Sequence, residues 1–79
     1  MSNSRIVKRM TMENLPMSQV KLDLEALANS VLADAQSIKS SVTLFDVFNA
    51  IKELNEKQDL FIFQDGTVSA TTQGMEAWA

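Results

Sequence analysis

Among its 79 residues the chain has no cysteine, no histidine, one proline and two glycines. Without cysteine there is no disulfide and no thiolate ligand, and without histidine the commonest zinc ligand and the usual neutral-pH base are both missing. A Ser-His nucleophile is therefore excluded, and Ser18 with Lys21 or Ser37 with Lys39 has no supporting signature for a Ser-Lys pair. The only glycines, Gly66 and Gly74, are too few and too far apart for a phosphate-cradling loop, which excludes P-loop and dinucleotide-fold nucleotide binding. No apolar run approaches the ~20 residues that a membrane helix needs, and "MSNSRIVKRMTMENLP" lacks the apolar centre of a signal peptide. These features predict a cytoplasmic protein with no membrane partner.

What remains is an ordinary globular composition, 46% apolar and 22% charged. A chain this short allows one small domain, stabilised by packing alone or with the help of homo-oligomerisation. The net charge of −3 conceals a split: residues 1 to 21 carry Arg5, Lys8, Arg9 and Lys21 against Glu13, a balance of +3, while residues 22 to 79 carry three bases against nine acids, a balance of −6. The body repels nucleic acid; the N-terminal segment attracts it, or is simply a solvated tail.

Apolar spacing divides the chain. Residues 1 to 16, ending at Pro16, read as a basic arm or a short helix, and residues 17 to 79 as a single α+β domain. From Met17 the series Met17, Val20, Leu24, Leu27, Val31, Ala35 and Ile38 marks one face of a long helix, with Ser18 as N-cap and Met17 stapled to Leu22. The polar run "QSIKSS" ends it. Leu44, Val47, Phe48, Ile51 and Leu54 define a second helix, introduced by a Thr43–Asp46 capping box.

"LFIF", "DG" and "TVSAT" predict a β-hairpin. A two-residue Asp65–Gly66 turn would place Phe63 opposite Val68 and Phe61 opposite Ala70, turning those four inward and Leu60 and Ile62 outward. In the tail, Thr71 or Thr72 caps a short closing helix whose Met75 and Trp78 share a face, and Trp78 is expected to be buried. The expected fold is thus two main helices, a C-terminal hairpin and a short closing helix.

From Thr43 onward, "TLFDVFNAIKELNEKQDLFIFQDGTVSATTQGMEAW" resembles the second half of a winged-helix domain: an amphipathic helix, a strand, a short-turn wing and a Thr-x-x-Gly step into a closing helix. That resemblance implies a DNA-reading helix exposing Thr43, Asp46 and Asn49, and a wing tip of Asp65, Gly66 and Thr67. The helix has no arginine and the tip is acidic, whereas DNA affinity rests mainly on Lys and Arg contacts to phosphate.

Two functions follow as expectations. One is a small non-enzymatic interaction protein, such as an adaptor, assembly partner or inhibitor of the kind mobile genetic elements including phages encode. It would contact a protein partner through Asp46, Asn49, Glu53, Glu56 and Asp59. The other is a winged-helix DNA-binding regulator using Thr43 and Asn49, anchored by Arg5, Lys8 and Arg9. Carboxylate pairs such as Asp59 with Asp65, or Asp23 with Asp34, read better as helix and turn residues than as an acid–base pair, so no catalytic residue, cofactor or metal ligand is assigned. Composition favours the protein-binding reading, because the body is acidic.

Overall fold

The computed structural model describes residues 3 to 16 and 20 to 79. Among the described residues four helices and a three-stranded antiparallel sheet form a mixed α+β domain: α1 (Asn3–Asn14), β1 (Leu22–Asp23), α2 (Leu24–Ile38), α3 (Leu44–Glu56), β2 (Leu60–Ile62), β3 (Thr67–Ala70) and α4 (Thr72–Ala77). The strands lie in the order β1-β3-β2.

Helix α1 packs against α2 and α3. Val7, Met12 and the following Leu15 join the same core as Leu27, Val31, Ala35, Val47, Ile51, Leu54, Leu60 and Val68. Thr11 is also buried there, its hydroxyl donating to the Val7 carbonyl one turn back at 2.7 Å.

Helix α2 starts later than apolar spacing predicts. Leu22 and Asp23 are spent on a strand, paired with Val68 and Thr67, and Asp23 then caps α2 by accepting from the Ala26 amide at 3.1 Å. The expected cap Ser18 and staple residue Met17 lie outside the described residues. At the other end, Ile38 is 64% exposed rather than in the core, because α2 ends at that residue. Ser37 Oγ bonding back to the Asp34 carbonyl helps to end it.

The capping box of α3 is present in both directions: the Thr43 amide donates to the Asp46 carboxylate at 2.9 Å and the Asp46 amide to the Thr43 hydroxyl at 3.3 Å. Val42 and Val47, both buried, occupy the positions of a hydrophobic staple. The core face is Val47, Ala50, Ile51 and Leu54, so Leu44 and Phe48 stay partly exposed at its margin. Two bonds close the helix, Gln58 N–H to the Asn55 carbonyl and Asp59 N–H to the Leu54 carbonyl. This is a Schellman motif with Gln58 at φ +65°, a left-handed position more often held by glycine.

The hairpin exists, but its register differs by one residue from the two-residue turn. Leu60 pairs with Ala70, Phe61 with Ser69 and Ile62 with Val68. Phe63 N–H bonds to the Thr67 carbonyl and Gly66 N–H to the Phe63 carbonyl, leaving a three-residue loop, Gln64 to Gly66, in which Gly66 takes φ +86°. Asp65 drives the change by accepting from both the Thr67 amide and hydroxyl, at 3.1 and 2.6 Å. Since strand side chains alternate, the slip reverses the faces of β2, while Val68 and Ala70 of β3 point inward as expected. Leu60 is wholly buried with Ile62 beside it, while Phe61 is 54% exposed.

The closing helix α4 is capped by Thr71, whose hydroxyl accepts from the Gly74 amide at 2.9 Å and donates to the Gln58 carbonyl at 2.6 Å. Gly74 lies so close to the Asp59 backbone that an added Cβ would overlap the Asp59 carbonyl.

Two outcomes check this arrangement. Leu60→Ala should lower unfolding free energy by ~2 to 5 kcal/mol and Phe61→Ala by less than ~1 kcal/mol in urea titrations, and the reverse order would restore the two-residue turn. Gly74→Ala should cost at least ~2 kcal/mol, a fall in Tm of roughly 10 °C by circular dichroism, because the obstacle is backbone and cannot swing aside.

Candidate functional site

Helix α3 stands at the centre of both functional expectations, and its outward side is set by its inward one. With Val47, Ala50, Ile51 and Leu54 buried, the 100° step per residue places Phe45, Asn49, Lys52 and Glu56 opposite the core, with Leu44 and Phe48 on one flank. Phe45 is 72% exposed.

The acidic residues expected to form a partner surface divide among different tasks. Asp46 is committed to the capping box. Glu53 binds Lys8 of α1 at 2.7 Å, so an acid expected to meet a partner and a base expected to meet DNA satisfy each other. Asp59 points inward: it is buried, and its carboxylate accepts from Trp78 Nε1 at 3.1 Å. Asn49 and Glu56 are exposed. Asn49 lines a shallow cleft of about 260 Å³ with Asn3, Ser4, Asp46, Ala50 and Glu53, and Glu56 lines one of about 470 Å³ with Asn55, Gln58, Leu60, Phe61, Thr71 and Gln73.

The residues expected to touch DNA are likewise partly occupied. Thr43 is the cap of α3. Arg5 and Arg9 lie over the ring of Trp78, at 5.3 and 5.6 Å from its centroid. Trp78 is half-buried against the core, where full burial was expected, because its ring faces the two guanidinium groups at the surface of α1 and not the apolar interior. At the hairpin tip Asp65 is turned onto Thr67, and those two hydrogen bonds hold its carboxyl below the ordinary value.

The carboxylates considered for acid–base work are also engaged structurally. Asp23 caps α2 and Asp34 accepts from Asn14 Nδ2 at 2.9 Å. Among the described residues no group of three or more acidic side chains could hold a metal ion, and no helix is long and apolar enough to cross a membrane.

Phe45 and Phe61 are the exposed aromatics that apolar spacing passed over. Phe45 falls outside the series Leu44, Val47, Phe48, Ile51, Leu54, and an aromatic off the core stripe was the readable signal. Phe61 was concealed by the register. Compared with known protein families, curated proteins and solved structures, the chain matches none.

The hydrogen bond and charge of Lys8 hold the Glu53 carboxyl below its ordinary value of 4.5. A carboxylate with a depressed folded-state pKa favours folding above its unfolded value, and that contribution is lost as pH falls through the depressed one. Stability should therefore decline below pH 4.5. Glu53→Gln should flatten this acid limb slightly, since the pair is solvent-screened, as read by urea titration at about pH 7 and about pH 3.

Proposed function

We propose that this chain is a small, non-enzymatic interaction protein of the cytoplasm, an adaptor, assembly partner or inhibitor of the kind mobile elements encode, that binds a protein through the outward face of α3. The observation that carries the reading is Phe45, an almost bare aromatic side chain on a surface helix, flanked by Leu44 and Phe48. Aromatic anchors with an apolar surround are what protein interfaces concentrate, and burying one stabilises a complex far more than a rim charge does. A helix that entered a DNA groove would present bases and hydrogen-bonding groups there, and this one offers Lys52 alone among basic residues.

A second reading has its own support. Helix α3 is preceded by α2 across a short turn and followed by the hairpin, with β1 completing the sheet beside β3, an arrangement that suits the winged-helix resemblance and a DNA-binding regulator.

The discriminating experiment compares wild type with Phe45→Glu, whose exposed site leaves the fold intact. The protein-binding reading expects a specific partner, captured from the native host and identified by mass spectrometry, whose affinity falls by ~30-fold or more in the variant. It also expects no submicromolar binding to duplex DNA at about 0.15 M salt. Sequence-specific DNA binding that is indifferent to Phe45 would replace it with the regulator.

A further inference from the structure

The opposite ends of the chain meet in a feature that the α3 reading leaves unused. Arg5, Arg9, Met12 and Glu13 recur at four-, three- and one-residue steps along α1, and so share one stripe of that helix. The two arginines of this stripe lie over the ring of Trp78, the C-cap of α4. Beyond the arginines, Met12, Glu13, Met75, Trp78 and Ala79 line an open cleft of about 310 Å³. Met75 is 41% exposed at its mouth.

Three properties of this side decide what it fits. Neither Arg5 nor Arg9 is in an ion pair among the described residues, although acids outnumber bases in the chain by ten to seven. Both guanidinium groups rest on one indole, which limits their freedom while leaving N–H edges for a carboxylate. The neighbouring cleft is walled by two thioethers and an indole, adaptable apolar surfaces suited to a large side chain.

We propose that the α1–α4 side is a docking site for an acidic protein segment carrying a large apolar side chain. The apolar group enters the Met12–Met75–Trp78 cleft, and carboxylates of the same segment bind Arg5 and Arg9. Glu13 at the far end of the stripe excludes an acid there, so the segment lies in one direction, its acidic part toward Arg5. At physiological salt the Debye length is ~8 Å, so the negative body beyond the stripe is largely screened from a bound segment. Nucleic acid suits the site less well: two arginines supply few phosphate contacts, and the thioether-lined cleft offers a sugar–phosphate chain nothing. These residues belong to α1, α4 and their flanks, so the inference is independent of the α3 face.

Trp78, the single tryptophan, reports the site directly by its fluorescence. The probes are a synthetic peptide of alternating Glu and Gly around one central Phe, the same peptide with Ala for Phe, the same with Lys for Glu, and a single-stranded oligothymidine of matching charge. The first should produce a saturable change in Trp78 emission, and both peptide controls should bind at least ~10-fold more weakly. Arg5→Gln with Arg9→Gln should abolish the response to the first peptide. Arg5→Lys with Arg9→Lys, which keeps the charge and the fold but not the planar fork, should weaken it, and Phe45→Glu should leave it unchanged. Absence of a saturable response to the acidic Phe peptide up to millimolar concentration, equal binding by the Ala or Lys control, or tighter binding of the oligonucleotide would overturn the proposal.

Discussion

Asp59 is the residue on which four elements converge. Its amide donates to the Leu54 carbonyl and closes α3, its own carbonyl accepts from the Thr71 amide, and its carboxylate accepts from Trp78 Nε1. Its backbone is also the floor against which Gly74 packs. The end of α3, the start of β2, the end of β3 and the placing of α4 are thus fixed around one buried acid. Burying a carboxylate is costly unless donors reach it, and here the Trp78 indole supplies one. Gln58 must adopt a left-handed conformation to deliver Asp59 to this point, a strain tolerated because the Schellman bonds and the Thr71 hydroxyl over-determine the turn.

The same logic extends to most of the acidic body. Asp23 caps α2, Asp34 holds Asn14, Asp46 completes a capping box, Glu53 holds Lys8 and Asp65 sets the hairpin loop. A negative charge balance in a sequence invites an electrostatic account of binding. In this fold the charges are chiefly local fittings that satisfy orphan amides and join α1 to the rest, each effective over one hydrogen-bond length.

Strong local periodicity was legible. Helix α3, its capping box, the hairpin, a threonine cap at position 71 or 72 and the α+β class were readable because each rests on contacts within a few residues. The hairpin register was not, because the Asp65–Gly66 pair suits a two-residue turn equally well, and only the additional Asp65–Thr67 bonds select the longer loop. That single-residue slip was enough to reverse the faces of β2, while Val68 and Ala70 of β3 kept the inward positions expected of them. Strand β1 was hidden for a different reason. Two residues carry no period, and Leu22 and Asp23 acquire strand geometry solely from Val68 and Thr67, more than forty positions away. The partition of Arg5, Lys8 and Arg9 between Trp78 and Glu53 was equally invisible, since both partners come from distant parts of the chain.

The exposed aromatics differ in how far the fold already shelters them, and this decides which face has most to gain from a partner. Phe61 and Phe63 stack edge to face with centroids 4.8 Å apart, and Lys21 places its ammonium 4.2 Å from the Phe63 ring. The outer sheet face is therefore partly covered by its own residues, and its rings already have favourable contacts that a partner would have to replace. Phe45 has no ring or cation against it among the described residues. Apolar area returns ~25 cal/mol per Å² only when water is actually displaced from it, so a bare phenyl group yields more on burial than one already shielded. Thr43 and Asp46 meanwhile hold the first turn of α3 rigid, so that ordering Phe45 in a complex costs little backbone entropy. The capping box thus fixes the turn that carries Phe45 as well as the start of the helix.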